Sequence, residues 1–100
     1  MTIKSEKTAE AGIRLSVSGR LDTASSPMLE KKLKQCIEDN TELCLDFSDL
    51  TYISSIGLRV LIQAQKAMKE QNRKLVIKNI NDSIREIFKI TGFINMIEQE

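Results

Sequence analysis

The sequence predicts an α/β fold built on a mixed sheet that is parallel at its centre. Two segments, 13–17 and 43–47, alternate apolar and polar residues as half-buried strands do, and KLVIKNI at 74–80 is a third strand-like run. Amphipathic, helix-like segments lie between and after these strands. Strand–helix–strand units require parallel strands, because the helix returns the chain to the edge of the sheet where the first strand began.

The amino-terminal part of the chain predicts an antiparallel hairpin. A strand defined by alternating apolar residues ends at Gly19, and TIKSE at residues 2–6 is a weaker strand before it. The alternating residues are Ile13, Leu15 and Val17. The first strand of the sheet is therefore expected to be antiparallel to the second.

Three amphipathic helices are predicted. The first follows the turn-rich stretch GRLDTASSP, where Ser26 is a candidate N-cap and Pro27 suits the first turn. The third ends at Gly92. The tail FINMIEQE fits either a short strand or a turn of helix. The inward residues are Leu29, Leu33, Cys36 and Ile37 in the first helix, Leu58, Leu61, Ile62 and Met68 in the second, and Ile84, Ile87 and Phe88 in the third.

Composition limits the classes of function. The chain has 100 residues, 41% hydrophobic and 29% charged, which indicates one globular domain over residues 1–100. No targeting segment or membrane span is apparent, so a cytoplasmic location without a membrane partner is expected. Fifteen basic against 14 acidic residues and only four aromatics argue against direct nucleic-acid binding. The basic run at 30–34 and the pair Arg73–Lys74 are predicted to be solvated.

The residue types present also limit the chemistry. There is no histidine, which excludes a Ser-His-Asp triad. Cys36 and Cys44 are eight residues apart and form no CxxC motif, so they indicate neither a disulfide framework nor a zinc site. No metal site and no cofactor are expected.

The stretch YISSIGL at residues 52–58 is the candidate functional segment. Segments 19–26, 50–57 and 79–82 leave the carboxyl ends of parallel strands, and these ends gather at one edge of an open sheet. SSIG opens the second helix, where unpaired N–H groups and the helix dipole favour a phosphate. A serine there can equally be a simple N-cap worth about 1 kcal/mol. The residues predicted to be neighbours are Asp22, Thr23, Ser54 and Ser55.

Three blocks of sequence resemble the STAS domain family. They are GRLDTASSP, LDFSDLTYISSIGLRVL and IREIFKITGF, in the family's order. The resemblance is to small bacterial anti-sigma factor antagonists, also called anti-anti-sigma factors. It implies a single STAS domain at 1–100 with helices packed mainly on one face of the sheet.

The resemblance also implies a partner-switching role in transcription regulation. The expected partners are an anti-sigma factor that is also a serine kinase, and a serine phosphatase. The acceptor serine is implied at Ser55, while Ser54 stands where the family has an aspartate and Ile56 replaces a second hydroxyl. The residues predicted to bind a partner are Asp22, Thr23, Ser54, Ile56, Gly57, Leu58 and Arg59. Arg59 also fits a solvated cation in the first turn of the helix.

Several alternatives remain open from the sequence. Asp22 fits an Asx turn as well as a positioning role. The domain could be a non-phosphorylated STAS interaction module, or a subunit of a transport or lipid-trafficking assembly. An enzyme with Ser55 as nucleophile is disfavoured, because no base lies nearby. Gly57→Val is expected to weaken partner binding more than stability.

Overall fold

The computed structural model describes residues 1–8, 12–39 and 42–99. Within these ranges the chain forms six strands, three helices and a 3-10 turn, Phe93–Asn95, which lies between the last helix and the last strand. The strands are β1 (Thr2–Lys7), β2 (Ile13–Leu21), β3 (Leu43–Asp46), β4 (Leu50–Ile53), β5 (Val76–Lys78) and β6 (Glu98–Gln99). The helices are α1 (Ser26–Glu38), α2 (Ser55–Glu70) and α3 (Asp82–Thr91).

The sheet is mixed, as predicted. Its order is β1-β2-β3-β5-β6, and β4 pairs with the distal part of β2. β1 is antiparallel to β2, whereas every other pair in the described part of the chain is parallel. The predicted antiparallel hairpin is confirmed, and β3 lies inside the sheet between β2 and β5. The tail contains both of the structures considered for it, a short helical turn and a short strand.

Strand β2 does not end at Gly19, and that prediction was wrong. Gly19 has a φ of 88°, a left-handed conformation that costs glycine little, and the pairing register shifts between Gly19 and Arg20. The strand resumes beyond this irregularity and pairs with β4, a strand that was not predicted. The continuation places the end of β2 beside the start of α2.

The core lies on one face of the sheet, under the helices. Alternate strand residues such as Leu15, Leu45 and Ile77 are fully buried, while their neighbours Arg14 and Asp46 are partly exposed on the other face. The helices supply the matching stripes, as predicted, with Ile37, Ile62 and Ile87 only partly buried at the margin. The helical core residues are Leu29, Leu33, Cys36, Leu58, Leu61, Met68, Ile84 and Phe88.

The ends of two helices are fixed by local hydrogen bonds. Asn81 caps α3, because its Oδ1 accepts from Ile84 N at 2.9 Å, and Gly92 ends that helix at a φ of 79°, as predicted. The predicted N-cap of α1 was wrong by one residue. Ser25 is the N-cap, and Ser26 is buried inside the first turn with its hydroxyl bonded to Asp22 O.

Candidate functional site

The candidate site lies at the edge of the sheet where β2 and β4 end and α2 begins. We call residues 20–25 and 52–59 the rim. Ser54 N donates a hydrogen bond to Leu21 O at 2.8 Å, so the loop that starts at Asp22 lies directly beside the start of α2. The predicted neighbourhood of Asp22 and Ser55 at one edge of the sheet is therefore confirmed.

The two adjacent serines have different environments. Ser54 is the N-cap of α2, and its Oγ accepts from Gly57 N at 3.1 Å. Ser55 is the first residue of the 16-residue helix and is exposed. The cap and the available hydroxyl are thus two separate residues. An anion on Ser55 would stand at the positive end of the helix dipole, beside unpaired backbone N–H groups.

Gly57 is buried against the end of β2. A Cβ at this position would lie 2.7 Å from Leu21 Cγ and 2.9 Å from Leu21 O, closer than real Cβ atoms come to other atoms. Glycine is therefore required for α2 to approach the strand. The greater loss of partner binding than of stability expected for Gly57→Val stays a prediction, but the contact with Leu21 shows that this glycine also has a structural role inside the domain.

Asp22 organises the loop between β2 and α1. Its Oδ1 accepts from Ala24 N and from Ser25 N, both at 3.1 Å, and Ser25 Oγ accepts from Asp22 N at 2.9 Å. These bonds from Ser25 and Ala24, with Arg20 nearby, lower the pKa of the Asp22 carboxyl. The Asx-turn interpretation of Asp22 is supported by this geometry. The same carboxylate remains charged and partly exposed at the rim.

The lowered pKa of Asp22 predicts a pH dependence of stability. Its contribution is fully present above the pKa of the unfolded chain, about 3.9, and is lost as the pH falls through the lower folded value. Asp22→Asn keeps an acceptor oxygen in the turn but has no carboxyl to titrate. In urea unfolding, we expect a constant difference between wild type and variant above about pH 5 and a shrinking difference below about pH 4. A difference that stays constant down to about pH 3 would contradict the assignment.

Three large apolar side chains are exposed on the rim or in the first turn of α1, and two of them, Tyr52 and Met28, were not singled out from the sequence. The guanidinium of Arg20 lies 4.2 Å from the centroid of the Tyr52 ring. Tyr52 is 39% exposed and Ile56 is 42% exposed, while Met28 in the first turn of α1 is 48% exposed. Tyr52 could have been identified only with knowledge of β4, which directs Leu50 and Ile53 inward and leaves the residues between them outward.

The remaining predicted residues divide between surface and core. Thr23 and Arg59 are exposed at the rim. Leu58 is 8% exposed and belongs mainly to the core. Contact of these residues with a partner stays a prediction. The rim therefore offers a partner a mixed surface of hydroxyl, aromatic, aliphatic and charged groups.

The described ranges contain neither a metal-binding cluster nor a membrane-spanning helix. No group of three or more histidine, cysteine or acidic residues there could hold a metal ion. No helix in that part of the chain is long and apolar enough to cross a bilayer. Neither cysteine forms a disulfide with another described residue, and burial raises the pKa of the Cys36 thiol.

Comparison with known proteins gives concordant results. The STAS domain family model matches residues 3–99. An anti-sigma-B factor antagonist of Bacillus subtilis is 30% identical over 92 residues, covering 92% of this chain and 84% of that protein. An anti-sigma factor antagonist from Mycobacterium paratuberculosis superimposes with a TM-score of 0.87 at 21% identity, over 98% of this chain and 83% of the other. The phosphorylated form of Bacillus SpoIIAA gives 0.78 at 14% identity, over 99% and 91%.

Proposed function

This chain belongs to the STAS domain family, and from that premise we propose that it is an anti-sigma factor antagonist whose partner binding is switched off by phosphorylation of Ser55. The antagonist role is supported by the similarity to the Bacillus subtilis protein over most of both chains. In this proposal the domain binds an anti-sigma factor serine kinase in the cytoplasm and so releases sigma factor. A serine phosphatase restores the unmodified form.

The observation that most strongly supports Ser55 as the acceptor is that Ser54, and not Ser55, caps the helix. The Ser54 hydroxyl accepts the capping hydrogen bond from Gly57 N and is partly buried. Ser55 is exposed, and the structure gives its hydroxyl no hydrogen bond within the described part of the chain. A kinase can therefore approach Ser55 without first breaking the helix cap.

Replacement of the family's aspartate by Ser54 is compatible with this role. Serine and aspartate are both strong N-caps, so Ser54 retains the local structure that the acceptor needs. The nearby negative charge is supplied instead by Asp22, which lies across the rim in the neighbouring loop. Ile56 in place of a second hydroxyl adds apolar surface beside the acceptor.

The rim also has the composition of a protein-binding surface. Aromatic residues and arginine are enriched at interfaces, and the rim contains Tyr52, Arg20 and Arg59. Arg20 is held over the Tyr52 ring, so part of the ordering cost of its long side chain is met before binding. We propose that these residues contact the anti-sigma factor together with Ile56 and Met28.

A kinase assay tests the phosphorylation step. The chain is incubated with ATP and a candidate anti-sigma factor kinase from the same genome, and the products are mapped by mass spectrometry. We expect one phosphate on Ser55 in the wild type and in Ser54→Ala, and none in Ser55→Ala. Ser54→Ala is the matched control, because it removes the neighbouring hydroxyl and costs about 1 kcal/mol of capping energy.

Other outcomes would separate this proposal from its alternatives. Phosphate on Ser54 would contradict the assignment of the acceptor. Stable binding to the anti-sigma factor without any phosphate transfer would instead favour a STAS interaction module that is not regulated by phosphorylation. Binding to a transporter or lipid-trafficking subunit, with none to an anti-sigma factor, would contradict the antagonist role.

A further inference from the structure

A second surface feature lies where α2 ends and the 3-10 turn leads into β6. It is a groove with a volume of about 430 Å³, which is within the range of about 300–1,000 Å³ typical of small-molecule sites. We call it the basic groove. Its lining residues are Gln65, Lys66, Lys69, Arg73, Lys74, Asn95, Met96 and Ile97.

The charged residues that line the basic groove are all positive. Four of its lining residues are cations, and none of the described lining residues is acidic. Lys66 and Lys69 are three residues apart on α2, so their side chains share one face of the helix. Like charges gathered in one concavity repel each other, and binding of an anion relieves that repulsion.

Arg73 is held in the groove by the geometry of the helix end. Asn72 has a φ of 58°, and Asn72 N and Arg73 N donate to Lys69 O at 2.9 Å and to Met68 O at 2.8 Å. This is the pattern of a Schellman motif, which fixes the direction of the chain after the helix. The prediction from sequence that Arg73 is a solvated cation was wrong, because the turn directs it inward and leaves it only partly exposed.

The guanidinium of Arg73 has unused donors. Nη1 donates to Gln71 Oε1 at 2.9 Å, whereas Nε and Nη2 are buried and have no hydrogen-bond partner among the described residues. Buried N–H groups without acceptors are costly, more so on a charged group. A negatively charged ligand in the cavity that Arg73 lines would supply acceptors with the right charge.

The dipole of α2 does not account for this cluster. A helix carboxyl terminus has roughly half a negative charge, which one cation such as Lys69 compensates. Lys66 and Arg73 are cations beyond that need. Gln65 and Asn95 add amide donors to the lining, and Met96 and Ile97 add an apolar side.

We infer that the basic groove binds a small soluble ligand bearing two or more phosphate charges. Lys66 and Lys69 would neutralise its charge, and the planar guanidinium of Arg73, once it turns from its buried position toward the groove, would hold a phosphate through two parallel N–H donors. The groove lies along the second half of α2, whereas Ser55 begins that helix. The inference therefore does not depend on the function proposed for the rim.

An NMR titration with inorganic pyrophosphate at constant ionic strength tests this inference. We expect saturable shifts of the backbone amides of 65–74 and 95–97, and an increase in the melting temperature with ligand concentration. Lys66→Gln/Lys69→Gln should weaken binding at least tenfold. Lys31→Gln/Lys34→Gln on α1 is the matched control, because it removes two exposed lysines with the same spacing, and it should bind as the wild type does.

A second variant tests the role of the guanidinium. Arg73→Lys retains the charge but loses the forked donors, and we expect it to stay folded by circular dichroism and to bind pyrophosphate several-fold more weakly. Three results would overturn the inference: shifts that rise linearly without saturation, equal weakening in the α1 control, or shifts centred on residues 54–57 at the start of α2.

Discussion

Gly57→Val is expected to lower the free energy of unfolding by roughly 3 kcal/mol or more, the largest loss of stability expected from any substitution at the rim. The first added carbon would already lie 2.7 Å from Leu21 Cγ and 2.9 Å from Leu21 O. Leu21 O also accepts the hydrogen bond from Ser54 N, so the strand cannot retreat without breaking that bond. The two further methyl groups of valine enlarge the overlap.

Helix propensity acts in the other direction but is too small to decide the outcome. Replacing glycine by a residue with a Cβ inside a helix gains at most about 1 kcal/mol, whereas overpacking costs about 1–3 kcal/mol and more when backbone must move. Gly57→Ala should therefore be destabilising, because its Cβ already overlaps Leu21, and Gly57→Val should be more strongly so.

Urea unfolding monitored by circular dichroism measures this effect. Ala67→Val is the matched control on the same helix, since Ala67 borders a small groove between α1 and α2 and a larger side chain has space there. We expect the control to stay within about 1 kcal/mol of wild type. A Gly57→Val domain as stable as the Ala67→Val domain would show that α2 can move away from β2.

Much of the fold could be predicted because its elements have strong periodicity. The alternation around Leu15 and Leu45, and the stripes on α1 and α3, locate buried faces without any tertiary information. Strand β4 has only four residues and shows the pattern buried, exposed, exposed, buried, which lacks the two-residue period of a strand. Its pairing depends on a continuation of β2 through Gly19, which turn propensity alone does not predict.

The position of the candidate site could be predicted from the sequence, but the roles of its individual residues could not. The topology rule places Asp22 and Ser55 at one edge, because it depends only on strand direction. Which serine is the cap depends on where α2 begins, and that boundary is fixed by the contact between Ser54 and Leu21. The inward direction of Arg73 depends on the left-handed conformation of Asn72. A glycine at that position would have predicted a left-handed helix end more strongly than asparagine does.

Phosphorylation of Ser55 is expected to weaken binding of the anti-sigma factor at least tenfold and to leave the domain folded. The phosphate adds about 1.5 to 2 negative charges at the positive end of α2, where the helix dipole favours them. The loss must therefore arise in the complex. Asp22 is ionised at neutral pH in the neighbouring loop, and the apolar groups Tyr52 and Ile56 lose water when a partner covers them.

The energy needed for such a switch is small. A tenfold loss of affinity corresponds to about 1.4 kcal/mol, and one charge left without a partner in a partly dry interface costs several kcal/mol. Ser55→Asp should weaken binding in the same direction but less, because it adds one charge in place of nearly two. Ser55→Asn is the matched control, with almost the same shape as aspartate and no charge, and it should bind nearly as well as Ser55→Ala.

Calorimetric titration of each form against the anti-sigma factor, together with thermal unfolding of each form alone, separates the possible causes. Equal losses in Ser55→Asp and Ser55→Asn would mean that side-chain size at Ser55, and not charge, controls the interface. A phosphorylated domain that melts well below the unmodified one would mean that the phosphate weakens binding by destabilising the domain itself. Undiminished binding by the phosphorylated domain would contradict the switch altogether, because the charge would then lie outside the contact surface.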